Sequence, residues 1–298
     1  MKHAIISQMV KPLDIYKRIG SLRARFYEAS SGKEALLQMI ADVEIADEVF
    51  NSNAIENSTL TLEDTEKVLL QIELDRYISE RELFEARNLA RVVEYVDKNS
   101  SGQRLALDTM CLLHKLLLSN IRDDIAGRFR NEEEWVRVGN HIAAAPNLVA
   151  GLLTKMLSQY HANPMLSIAK RIATFHLRFE SIHPFVDGNG RIGRVLNNYL
   201  LLREGYVPIN IRFASRDAYY EAFREFNTSE GTLLMEEIIG KALTNSYHKR
   251  LAYLDGKEII KLSEYAKRKG VSHSNLINKA HRQTIEAFWE KGIWKMGY

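Results

Sequence analysis

Cysteine is almost absent from the sequence. Cys111 is the only one in 298 residues, which excludes an internal disulfide. It lies in the apolar helical run Met110-Cys111-Leu112-Leu113, the setting of a buried, inert thiol. No apolar stretch approaches membrane-spanning length, and Met1-Lys2-His3-Ala4-Ile5-Ile6-Ser7 lacks an apolar signal core. A reducing cytoplasm and no membrane association are therefore expected. Proline (5) and glycine (16) are few, so most of the chain is free to form regular structure. His114, His161 and His176 lack metal-ligand spacing, and no zinc site is expected. The formal net charge of +3 points neither towards nor away from a polyanion. What is abundant is apolar residues (46%) and charge (27%), enough for one large domain or a domain with a small appendage.

The periodicity predicts an all-α protein. Residues 13–30 read as a basic helix. Helical spacing then runs through Leu36, Leu37, Ile40, Val43, Ala46, Val49 and Phe50, and breaks at Asn51-Ser52-Asn53. Thr61 with Asp64 and Ser79 with Glu82 read as helix starts. Residues 83–96, 105–120, 147–160 and 165–181 follow as helices, the last with Leu166, Ala169, Ile172, Ala173, His176 and Phe179 inward. Between them, Val136 and Val138 alternate with polar residues, and Gly139-Asn140 suits a turn, predicting an exposed β-hairpin. A long helix is expected over 233–254. Asp255-Gly256 then breaks the chain. Residues 257–298 hold nine Lys/Arg against four acids, a formal +5, and read as helix, glycine turn, helix and hairpin.

The densest chemistry lies in His183-Pro184-Phe185-Val186-Asp187-Gly188-Asn189-Gly190-Arg191-Ile192-Gly193-Arg194. Gly188-Asn189-Gly190 can adopt positive φ, so that successive N–H groups converge on an anion. Apolar spacing restarts at Ile192, Val195, Leu196 and Tyr199, which puts this nest at a helix N-terminus. Arg191 and Arg194 share a face and repel unless an anion stands between them; a polyphosphate or a carboxylate would serve. Asp187 beside bound phosphate implies a Mg²⁺ between them. His183 is placed to take a proton from an attacking hydroxyl.

This run resembles the Fic family signature, H-P-F-x-D/E-G-N-G-R-x-x-R, at every fixed position. The resemblance covers roughly residues 35–250. It implies a Fic-type helical domain with a β-hairpin flap, N-terminal helices over 1–100 and a catalytic core over 101–254; residues 257–298 separately resemble a small winged-helix module. It implies transfer of AMP from ATP to a Tyr, Ser or Thr hydroxyl of a protein, with self-modification. His183 is then the base, Asp187 the Mg²⁺ ligand, and Asp187, Gly188, Asn189, Gly190, Arg191, Ile192, Gly193 and Arg194 the ATP-binding run. The Asn189 side chain is expected on phosphate, and Phe185 anchored in the core. Gly127-x-Phe129-Arg130 and Val136-x-Val138-Gly139 resemble the lead into the family's flap. The resemblance implies that residues 136–142 dock a target strand and that Val138, Gly139, Asn140 and His141 border the nucleotide. Tyr219, Tyr220 and Asn227 match the adenosine-contacting pair and its following Asn.

Ser52-x-x-x-Glu56-Asn57 resembles the family's inhibitory motif, with Glu56 expected to hold Arg194 away from the γ-phosphate. Gly190 stands where kinase-type relatives carry Lys, which argues against that chemistry. Removal of AMP, another Fic-type phosphate-group transfer, and an ATP-sensing DNA-binding regulator are the alternatives. The basic 257–298 segment leaves a DNA or protein partner open, and a homodimer is left open too.

Overall fold

The computed structural model describes residues 12–298 except Asn140, with side chains from residue 15 onward. The apolar spacing produces twelve helices among the described residues. They are α1 (Pro12–Ser30), α2 (Glu34–Ile55), α3 (Leu62–Leu69), α4 (Glu80–Asn99), α5 (Leu107–Leu118), α6 (Val149–Ala162), α7 (Ile168–Ile182), α8 (Asn189–Arg203), α9 (Arg216–Ser229), α10 (Leu233–Leu254), α11 (Leu262–Lys269) and α12 (His273–His281). Strands are short: β1 (Arg137–Val138) pairs β2 (His141–Ile142), and β3 (Ile259–Lys261), β5 (Ile293–Gly297) and β4 (Ala287–Glu290) form an antiparallel sheet in that order. The all-α expectation holds. No described helix is long and apolar enough to cross a membrane.

The chain divides into two compact units, Glu44–Met235 and the residues up to Val43 with Glu236–Tyr298. In the first, α8 is the hub. Twelve of its fifteen residues are buried, as expected of a helix enclosed on all sides by α4, α5 and α7. Thr61 and Asp64 form a reciprocal capping box at α3, and Ser79 caps α4 by accepting from the Glu82 N–H. Leu166, expected inward, precedes α7 and is exposed. The expected break at 51–53 does not occur: α2 runs on to Ile55. Asn51 makes this affordable, because its Nδ2 donates to the Asp47 carbonyl and its Oδ1 accepts from the Phe213 N–H, 2.7 and 2.8 Å.

In the second unit, α1 and α10 meet through Phe26 and Tyr247, ring centroids 5.7 Å apart. The C-terminal segment builds its own core from Leu262, Ala280, Ala287 and Trp294. The break at Asp255-Gly256 is a tight turn, with Gly256 at φ 66°. The segment is tied to α10, where Asn245 Oδ1 accepts from the Trp289 N–H at 2.7 Å, and to α1, where Arg25 pairs with Glu286.

Candidate active site

His183 ends α7 in the left-handed conformation, φ 51°, with its N–H on the Phe179 carbonyl. A non-glycine residue there is strained by roughly 1–3 kcal/mol and persists only when its surroundings hold it. They do. Arg130, almost fully buried, donates to the carbonyls of His183 (2.8 Å), Ala144 (2.7 Å) and Glu134 (2.8 Å). Its own N–H donates to the Pro184 carbonyl at 3.0 Å. The His183 Nδ1 lies 3.3 Å from the Glu180 carbonyl, so the proton sits on Nδ1 and Nε2 is left as the acceptor. Burial, chiefly, drops the His183 pKa to about 4, so the imidazole is neutral at pH 7.

The loop after His183 is clamped from below. Phe185 is fully buried and stacks on His114, centroids 3.8 Å apart. His114 accepts the Gly127 N–H at Nδ1 and donates from Nε2 to the Asp187 carbonyl, both 3.0 Å. Asn189 Oδ1 and Nδ2 bond the N–H and carbonyl of Phe185, each 2.9 Å. This differs from the expectation that the Asn189 side chain would reach phosphate. Only its backbone N–H faces the helix opening, because the side chain is consumed by the loop.

Of the three nest residues, only Gly188 has positive φ (78°); Asn189 and Gly190 are already helical. A Cβ at Gly188 would press on Leu117 at 3.0 Å. The first intrahelical bond of α8 runs from the Ile192 N–H to the Gly188 carbonyl, leaving the N–H groups of Asn189, Gly190 and Arg191 ahead of it. That end attracts anions through these donors and the helix dipole. Ile192 is fully buried, and Gly193 packs under His176 and Glu180, so both support the helix from its core side.

The two arginines do not share one anion. Arg191 pairs with Glu85 (3.1 Å) and Asp187 (3.3 Å). Asp187 also takes Arg81 at 3.0 Å and the Gly188 N–H at 2.6 Å. Burial opposes its charge, yet Arg191, the Gly188 N–H and Arg81 hold its carboxyl below the usual range. Among the described residues no cluster of three or more His, Cys, Asp or Glu side chains could hold a metal by itself. Asp187 is one ionised, one-third-exposed carboxylate, which fits Mg²⁺, an ion that commonly takes one or two carboxylates and completes its shell with phosphate and water.

Arg194, 7% exposed, turns to α2. Its Nε donates to Ser52 Oγ (2.9 Å), and Nη2 to the Ser52 carbonyl (2.8 Å) and Glu56 Oε1 (2.9 Å). Asn57 explains how Glu56 gets there. It stands in the left-handed conformation, φ 70°, while the Asn57 N–H bonds the Ala54 carbonyl and the Ser58 N–H the Asn53 carbonyl. These two bonds make a Schellman C-cap, which stops α2 with Glu56 at its last turn. The Glu56 carboxylate lies against Gly190, where a Cβ would collide with Oε1. Glu56 therefore covers the N-terminus of α8 as well as its arginine.

Tyr219 is buried, its hydroxyl on His176 Nε2 (2.7 Å) and Arg194 Nη1 (3.3 Å). It braces Arg194 and offers no free face for stacking. Tyr220, half-buried, donates to the Ile55 carbonyl, and Asn227 lies seven residues on, on the same face of α9. Val138 is exposed; His141 Nε2 anchors the hairpin to the Ser181 carbonyl at 2.9 Å; Asn140 lies outside the described residues. Sequence reasoning missed Arg130, His114, Glu180 and Arg81. Arg130 stood in the quoted Gly127-x-Phe129-Arg130 run, and Glu180 was readable as a lone acid three residues before His183 in an apolar helix.

The Fic/DOC family model matches residues 104–201, which include the whole loop and the N-terminal end of α8. Residues 104–201 are a Fic/DOC domain. Among curated relatives, the chain is 28% identical over 231 residues to a protein adenylyltransferase Fic of Nematostella vectensis, covering 73% of this chain and 52% of the relative. It is 32% identical over 189 residues to the protein of that name from Drosophila mojavensis, covering 61% and 36%. The chain thus spans about half or less of these relatives' length. A Fic-domain signaling protein from Bacteroides thetaiotaomicron shares the fold at TM-score 0.73 and 22% identity, covering 81% and 98%. A Fic family protein from Desulfovibrio desulfuricans does so at 0.66 and 21%, covering 97% of each chain.

Proposed function

We propose that the chain is an autoinhibited protein adenylyltransferase. It moves AMP from ATP to a Tyr, Ser or Thr hydroxyl of a protein, itself included, and releases pyrophosphate. The observation that carries this is Glu56, which grips Arg194 and covers the opening of α8 beside a neutral His183. A carboxylate stands where a phosphate would bind.

With Glu56 withdrawn, the N–H groups of Asn189, Gly190 and Arg191 and the Arg194 guanidinium receive the phosphates. The triphosphate then lies with its α-phosphorus facing His183. His183 Nε2 takes the proton of the incoming hydroxyl, whose oxygen bonds the α-phosphorus. The bond to the β-phosphate bridging oxygen breaks, and the charge of departing pyrophosphate is met by Arg194 and the helix end. Mg²⁺, held by Asp187, would neutralise phosphate charge. Tyr220 and Asn227 border the adenosine. The hairpin, with exposed Val138 and Ile142, holds the target by strand addition.

Duplex DNA is the partner best supported for the C-terminal segment. Residues 265–285 contain no Asp or Glu and hold Lys267, Arg268, Lys269, Lys279 and Arg282. On α12, His273, Ser274, Asn275 and Asn278 are exposed, as is Arg282 just past its end, a set able to hydrogen-bond base edges and phosphates.

The enzymatic reading is tested with α- and γ-labelled ATP and intact mass on wild type, Glu56→Gly and His183→Ala/Glu56→Gly. Glu56→Gly gains α-label and the mass of AMP above wild type; adding His183→Ala removes about 10²–10⁴-fold of that rate. Transfer of γ-label, or a Glu56→Gly protein that binds ATP and transfers nothing, would overturn it.

A further inference from the structure

Glu180 has no part in the scheme above, yet it stands at the centre of its polar groups. It lies on the last turn of α7, three residues before His183, with its side chain 12% exposed. Its Oε2 is 3.9 Å from His183 Nδ1. Its Oε1 is buried with no hydrogen-bond partner, and so is His176 Nδ1. Both orphaned atoms converge above one point. A Cβ on Gly193 would collide with Glu180 Oε1 and stand 3.2 Å from His176 Nδ1. Gly193 is thus the residue that leaves room for the carboxyl.

The proton positions follow from the partners. Arg194 Nη1 donates to the Tyr219 oxygen, so the Tyr219 hydroxyl donates to His176 Nε2. Neutral His176 then carries its proton on Nδ1, the atom that looks towards Glu180. A line of side chains, largely buried beyond the partly exposed Glu56, therefore runs from Glu56 and Arg194 through Tyr219 and His176 to Glu180 and His183.

We propose that Glu180 is a positioning residue for His183: its carboxyl, lodged over Gly193, joins the base to Arg194 and sets the base's orientation and proton affinity according to what Arg194 holds. The role in transfer rests on the adenylyltransferase reading; the linkage does not. Burial first, and then the charge of Glu56, push the Glu180 carboxyl up to about 8, with Arg194 opposing. The other charged or titratable groups facing this pair are His176 from α7, Tyr219 from α9, and Arg130 and His141 on the His183 side. Ionisation of Glu180 places a negative charge beside His183 Nδ1, and removal of Glu56 makes that ionisation easier.

The test follows the His183 imidazole by NMR from pH 5 to 9.5 in wild type, Glu180→Gln and Glu56→Gly. Wild type shows an inflection near pH 8 in the His183 signal. Glu180→Gln abolishes it, and Glu56→Gly moves it to lower pH. An inflection absent from wild type, unmoved in Glu56→Gly, or retained in Glu180→Gln overturns the proposal. Transfer is read separately in the Glu56→Gly background, with folding checked by circular dichroism and ATP binding. There Glu180→Gln keeps kcat within about threefold at pH 7, while Glu180→Met loses about ten- to a hundredfold in kcat with KM for ATP unchanged. Equal kcat in the two variants also overturns it. Failure of all transfer with the inflections as stated condemns the adenylyltransferase reading and leaves the linkage standing.

Discussion

Asn189 begins α8, and its side chain ties the main chain of Phe185, in the loop after His183, to the helix behind it. Removing it strands both main-chain polar groups of Phe185, a residue with no access to water. Each buried, unsatisfied group costs about 1–3 kcal/mol, so Asn189→Ala should lose about 2–6 kcal/mol in urea unfolding. A loss below about 0.5 kcal/mol would mean that the clamp is dispensable. The contrast with Gly188 and Arg194 shows what a sequence exposes. A glycine at a helix start and an arginine six residues on announce themselves by type and spacing. Asn189, Arg130 and His114 do not, because their partners are carbonyls and N–H groups of Phe185, His183, Ala144, Gly127 and Asp187, brought together only by folding. The arginine pair was legible as two cations needing anions. Glu56 as the anion for Arg194 was expected from the resemblance of Ser52-x-x-x-Glu56-Asn57 to the inhibitory motif; Glu85 of α4 as the partner of Arg191 was not.

At the scale of elements, apolar periodicity located most helices and failed where polar residues face the interior. The last turns of α2 carry Asn51, Ser52 and Asn53, all buried, so the pattern stops while the helix continues. The end of α2 is set instead by Asn57, readable as a residue that tolerates positive φ. The β-hairpin was legible from Val136, Val138 and Gly139 because alternation and a turn glycine coincide. Lys279, in the last turn of α12, and Arg282, its C-cap residue, lie three residues apart on a helix without acids that also carries Asn275 and Asn278. If this helix enters a DNA groove, Lys279→Ala with Arg282→Ala should weaken binding to duplex DNA at about 50 mM salt. It should also flatten the slope of log K against log salt by roughly two, one for each lost phosphate contact. An unchanged slope, or no binding by wild type at low salt, removes DNA as the partner.

For the Glu44–Met235 unit as a whole, the site's burial of ionisable groups should appear as a pH dependence of stability. His114, His176 and His183 are lowered from 6.5 to about 4, 3 and 4, mainly by burial. Between about pH 6.5 and 4 the unfolded chain binds protons that the folded one refuses, so stability falls as pH falls through that window. Glu180 acts in the opposite sense. Its folded pKa of about 8 lies above its unfolded 4.5, so the folded state keeps a proton that the unfolded chain releases. Its contribution is present below 4.5 and is lost as pH rises towards 8. From pH 6.5 to 4.5 three histidines oppose one glutamate, leaving about two extra protons on the unfolded chain and a slope of at most about 2.7 kcal/mol per pH unit. Above pH 6.5 only Glu180 remains of these four, and stability declines gently. Below about pH 4, Asp64 and Glu134, both held near 2 chiefly by Arg76 and Arg128, add to the loss. Urea midpoints across pH 4.5–8.5 should therefore peak near pH 6.5–7, and Glu180→Gln should flatten the alkaline side and steepen the fall between pH 6.5 and 4.5. A midpoint that keeps rising to pH 8.5 in wild type would mean that Glu180 is ionised in the folded protein. In that case the carboxylate, and not the neutral acid, is what stands behind His183.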